Sequence, residues 1–148
     1  MTNDDFDKRL ADFEESAPLP KIPMAGINAP AGFPSPARDY IEGMLDLNEL
    51  MNTNPTSTYF IRVEGNSMTN AQITHGDILV VDRSKEAYDK KIIIAFIEGE
   101  ITVKRLRIID NVYWLYPEHE AYKPVKIEEW MDFQIWGVVT WVIHKTTV

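Results

Sequence analysis

The chain is 148 residues long, 45% hydrophobic and 26% charged, which suits one domain with room for a tail. Its net charge of −8 argues against direct binding of DNA, because each phosphate contact needs a local cation; any link to DNA is expected through a partner. There is no cysteine, and His75, His119 and His144 stand in no metal-ligand spacing, so the sequence points away from disulfides, thiolate chemistry and metal sites, and no cofactor is expected.

The chain starts MTNDDFDKRLADFEESAP, acidic and without an apolar stretch, so it does not read as a signal peptide. No later apolar run approaches the ~18 residues of a membrane span. A soluble, cytoplasmic protein with no membrane contact is the expectation. The residues Asp5–Phe13 allow a short amphipathic helix. Six of the nine prolines fall in Pro18–Pro36, which excludes a helix interior or a central strand there. Residues 1–37 therefore read as a flexible, mostly extended N-terminal arm, and residues 38–148 as a β-rich domain.

Ile41, Met44, Leu45, Leu47, Leu50 and Met51 recur at helical spacing, and Asp46 with Glu49 resembles a capping box. One or two short helices are expected there. From residue 58 the period becomes that of strands. TYFIRVEG, DILVVD, KIIIAFIE, EITVKRLRI, NVYWLYP, YKPVKIE and FQIWGVVTWVIHK are rich in Val, Ile, Tyr and Trp. Turn signals stand at Gly76-Asp77, Glu98-Gly99, Asp110-Asn111 and Pro117-Glu118. The second and third of these read as hairpins. About seven strands over this span predict a mainly β protein, a curled antiparallel sheet or partial barrel.

Two features carry chemistry. In Val63-Glu64-Gly65-Asn66-Ser67-Met68, a serine follows glycine where a strand ends. There its hydroxyl and its own backbone N–H can address one point, as a nucleophile and oxyanion hole require, and the N–H of Asn66 is the second oxyanion donor expected in such a mechanism. In Thr102-Val103-Lys104-Arg105-Leu106, a lysine lies on an apolar strand. Burial would disfavour its ammonium and make it a base. Each feature alone has a blander reading, a turn serine and a solvated lysine. No histidine and aspartate stand in a familiar order relative to Ser67.

VEGNSM, HGDILVVDR and EITVKRL together resemble the LexA/UmuD family of serine–lysine autoproteases and the C-terminal domains of phage repressors. The interval of 37 residues from Ser67 to Lys104 is also usual in that family. The likeness covers roughly residues 30–145, and GFPSPA followed by DLNEL is closer to the UmuD branch than to LexA. Asn66 departs from the acidic residue often found there. The resemblance implies the LexA C-terminal-domain fold, Ser67 as nucleophile, Lys104 as base and self-cleavage at Ala31-Gly32. Locally, Ala and Gly are small enough for a tight site, and the prolines keep the segment extended.

It further implies a homodimer, activation by a RecA–single-stranded DNA filament after DNA damage, and a shortened product that assists a UmuC-type Y-family polymerase in translesion synthesis. Only 31 acidic, proline-rich residues precede Gly32, with no helix-turn-helix pattern, which disfavours a LexA-like or phage-repressor-like regulator. A non-cleaving binding module of the same fold is the alternative from another class. A signal-peptidase-like enzyme shares the chemistry but would need a membrane anchor. On Ile135–Ile143, Trp136 and Trp141 suit core packing better than a dimer contact.

Overall fold

In a computed structural model of the chain, residues 21–25, 29–34 and 41–146 are described. The expected helix over Asp5–Phe13 and the expected arm–domain boundary at residue 38 lie outside them. The described residues divide into two compact units, one up to Thr53 and one from Asn54 onward.

In the first unit, β1 (Ile22–Ala25) pairs antiparallel with β2 (Ile41–Leu45). Only the later part of the expected helical stretch is a helix, the single turn α1 (Leu47–Leu50). The helical spacing of Ile41, Met44 and Leu45 is therefore a coincidence of a strand that pairs Leu45 with Ile22 and Met44 with Pro23. Gly43 contributes, since glycine costs a helix interior ~1 kcal/mol relative to alanine. Asp46 caps α1 as expected, its carboxylate accepting from Asn48 N at 2.9 Å. Pro23 is tolerated in β1 because the sheet has only two strands, so each has an open edge.

In the second unit, β3 (Thr58–Arg62), β4 (Ile78–Asp82), β5 (Ile92–Ile97), β6 (Glu100–Ile109), β7 (Val112–Tyr116), β8 (Val125–Lys126) and β9 (Phe133–Ile143) form one antiparallel sheet. The order is β3-β4-β9-β5-β6-β7-β8. Both hairpins form where the turn signals stand. Glu98 and Gly99, and Asp110 and Asn111, all have positive φ, as two-residue turns matched to strand twist require. The run YKPVKIE yields only the two residues of β8; Pro124 offers no N–H to extend the ladder.

The sheet bends at β9. Residues 133–138 pair with β5 and residues 138–143 with β4, so Val138 belongs to both ladders. Each ladder carries a register shift near this point, at Val80/Val81 and Ile94/Ala95. Gly137 is needed there, because a Cβ would meet Val81 Cγ1 at 2.6 Å. Alternation along β5 feeds two cores. Ile94 packs with Val63, Met68, Ile73, Leu79, Val81 and Trp136, while Ile93 and Ala95 pack with Leu106, Leu115 and Val138. Trp136 is 3% exposed and belongs to the core, as the sequence suggested; Trp141 is 42% exposed. The first and fifth strands in the order, β3 and β6, line one cavity, so the sheet curls. The two ends of the order do not pair, so it stays an open partial barrel.

Candidate active site

β3 delivers the chain to the turn that holds Ser67. Val63 is anchored on both sides: its N–H donates to Asp77 O at 2.8 Å and its carbonyl accepts from Gly76 N at 2.9 Å. Gly65 has φ +83°, the left-handed region that favours glycine, and its N–H donates to His75 Nδ1 at 3.1 Å. Beyond Ser67, Met68 is 1% exposed and pins the turn to the core. The Ser67 carbonyl accepts from Glu118 N at 2.8 Å. The N–H groups of Asn66 and Ser67 make no hydrogen bond to another described residue.

Lys104 reaches this turn from β6. Its Nζ lies 3.1 Å from Ser67 Oγ, 2.8 Å from Thr102 Oγ1 and 3.0 Å from the Val103 carbonyl. Burial pushes its pKa below the ordinary lysine value. Among the described residues it makes no ion pair that would oppose this effect. A neutral amine has two N–H groups and one lone pair. Thr102 Oγ1 and the Val103 carbonyl can take the two hydrogens, leaving the lone pair for the Ser67 hydroxyl proton.

The pair sits in a cavity of about 450 Å³ whose apolar lining includes Phe60, Ile94, Phe96, Ile101 and Trp136. Two open strand edges flank it. β3 is the end of the sheet, and Glu100–Lys104 of β6 pair with β5 alone. Such edges can hydrogen-bond an extended peptide as an added strand.

Ser67 and Lys104, the two residues that the sequence singles out, are thus brought within 3.1 Å of each other. Ala31 and Gly32 lie in an exposed bend of the first unit. Thr102, His75, Glu118 and Tyr122 were not anticipated. Thr102 carried a signal: it stands two residues before Lys104 on one strand, so both project to the same side. The other three act through contacts distant in sequence or through the backbone, and no local pattern marks them.

A model of the Peptidase S24-like family matches residues 23–140. Protein SamA of Salmonella typhimurium is 44% identical over 124 residues, covering 84% of this chain and 86% of SamA. Protein MucA of Escherichia coli is 40% identical over 121 residues, 74% of this chain and 75% of MucA. The LexA repressor of Shewanella oneidensis is 32% identical over 138 residues, which span 93% of this chain and 66% of the repressor. With the family model matching most of its length and such relatives aligned over most of it, the chain belongs to the Peptidase S24-like family of serine autopeptidases.

Proposed function

We propose that this protein is a UmuD-like SOS mutagenesis protein that cuts its own chain at Ala31-Gly32 with a Ser67–Lys104 dyad. The observation that carries the reading is the 3.1 Å approach of Lys104 Nζ to Ser67 Oγ, in an apolar cleft between two open strand edges. Residues 1–37 serve as the substrate arm and residues 38–148 as the peptidase domain. The arm docks extended in the cleft. Neutral Lys104 takes the Ser67 proton as Ser67 Oγ attacks the Ala31 carbonyl carbon. The Asn66 and Ser67 N–H groups hold the oxyanion. The Lys104 ammonium then gives its proton to the Gly32 amine as the peptide bond breaks. Water, deprotonated by Lys104, attacks the Ala31 ester, freeing residues 1–31 and regenerating Ser67.

Tethering supplies a high effective concentration of substrate. An intact resting chain then requires that the docked arm be a minority population, raised by an activator that prefers it. The resemblance names that activator as the RecA–single-stranded DNA filament. The product, residues 32–148, acts as a homodimeric accessory of a Y-family polymerase in the cytoplasm, touching DNA only through its partners. The test is incubation of the intact protein with RecA filaments, followed by mass measurement. The reading expects residues 32–148; an intact chain, as the binding-module alternative requires, or a cut at another bond would overturn it.

A further inference from the structure

The segment Glu118–Tyr122 touches both halves of the site. Its first residue does so three times. Glu118 N donates to the Ser67 carbonyl at 2.8 Å, the Glu118 carbonyl accepts from Asn70 N at 2.9 Å, and the Glu118 carboxylate pairs with the Arg105 guanidinium. Arg105 directly follows Lys104 on β6, so one residue ties the nucleophile turn to the strand of the base. Farther along, Glu120 Oε1 accepts from Asn70 Nδ2 at 3.0 Å, and Tyr122 Oη donates to Asn66 Oδ1 at 2.9 Å. The segment braces itself. Ala121 N donates to His119 Nδ1 at 3.0 Å, Tyr122 N to the His119 carbonyl at 3.2 Å, and the His119 and Tyr122 rings meet edge to face at 5.3 Å.

Asn66 is therefore held from its side chain, while its N–H makes no hydrogen bond to another described residue. A free Asn66 could rotate that N–H away from the site, because the glycine before it gives the turn conformational latitude. We infer that Tyr122 is a positioning residue for the nucleophile turn, fixing Asn66 and, through it, the Ser67 hydroxyl and the paired N–H groups. This inference rests on the reading of Ser67 as nucleophile. Tyr122 acts at a distance from the reacting atoms. Its loss lowers the fraction of turns in the productive geometry without altering the proton affinity of Lys104.

The experiment uses the full chain and two readouts: self-cleavage over a series of alkaline pH values, and the rate at which diisopropyl fluorophosphate labels Ser67. Losing one exposed neutral hydrogen bond corresponds to roughly a three- to tenfold fall in rate. Tyr122→Phe should show that fall in both readouts. The cleavage midpoint in pH should stay put, and the thermal unfolding midpoint should match wild type. Asn66→Leu should behave alike, and the double variant Tyr122→Phe/Asn66→Leu should be no slower than the slower single variant. Additive losses, a displaced pH midpoint, or labelling that stays at the wild-type rate would each overturn the inference. Ser67→Ala is run alongside. If it cleaves like wild type, the reading of the nucleophile itself has failed, an outcome separate from the failure of Tyr122.

Discussion

Thr102 Oγ1 stands 2.8 Å from Lys104 Nζ, closer than Ser67 Oγ does. In the proposed mechanism Thr102 accepts one of the two hydrogens of a neutral Lys104, which leaves the lone pair for the serine. Thr102→Val removes this acceptor and keeps the shape. Self-cleavage at its high-pH plateau is expected to fall roughly three- to tenfold, the worth of one hydrogen bond. The threonine oxygen also stabilises the ammonium, so its removal should leave the pH midpoint unmoved or lower it. A rate–pH profile of the variant checks both effects.

Lys104 links activity and stability to pH with a definite sign. Burial lowers its folded-state pKa beneath the unfolded value near 10.5, so the folded chain sheds this proton first. Cleavage should rise with pH through a midpoint below 10.5. The cost of burying the ammonium is fully present below the folded pKa and is relieved as pH climbs from there toward the unfolded one. Lys104→Met should therefore unfold at a higher temperature than wild type at neutral pH, with the gap narrowing under alkaline conditions. Thermal melts at several pH values test this.

Asp77 works in the opposite sense. Burial pushes its carboxyl up, but hydrogen bonds from Thr74 N and Oγ1 and the contact with His144 outweigh burial, leaving it below the ordinary value of 3.8. Its contribution is present above the unfolded pKa and is lost as pH falls through the folded one. Asp77→Asn should flatten the acid limb of the stability curve, measured by urea unfolding between neutral and acidic pH.

The two tryptophans of β9 should separate cleanly. Trp136 lies in the core, with the Tyr59 ring at 5.3 Å and the Arg83 guanidinium 4.8 Å from its centroid. Trp136→Ala is expected to cost about 3–5 kcal/mol. Trp141→Ala, on an exposed side chain, should cost less than about 1 kcal/mol. Equilibrium denaturation of both variants provides the comparison.

The β3–β9 sheet was legible because period-two alternation and paired turn residues are local signals. Glu98-Gly99 and Asp110-Asn111 announce their own left-handed geometry. Ile41–Leu45 was not legible, since its apolar spacing fits a helix equally well and only the partner strand β1 decides the matter. At the site, glycine before Ser67 and an apolar strand around Lys104 are visible locally, but their meeting depends on the curl that β9 imposes. Glu118 acts mainly through its backbone, which carries no residue-type signature.

Whether Ser67 and Lys104 together cut Ala31-Gly32 is decided by incubating purified wild type, Ser67→Ala and Lys104→Ala at high pH and reading intact masses over time. Wild type should yield residues 32–148, and neither variant should. Release of that fragment from either variant at the wild-type rate would remove that residue from the cleavage machinery.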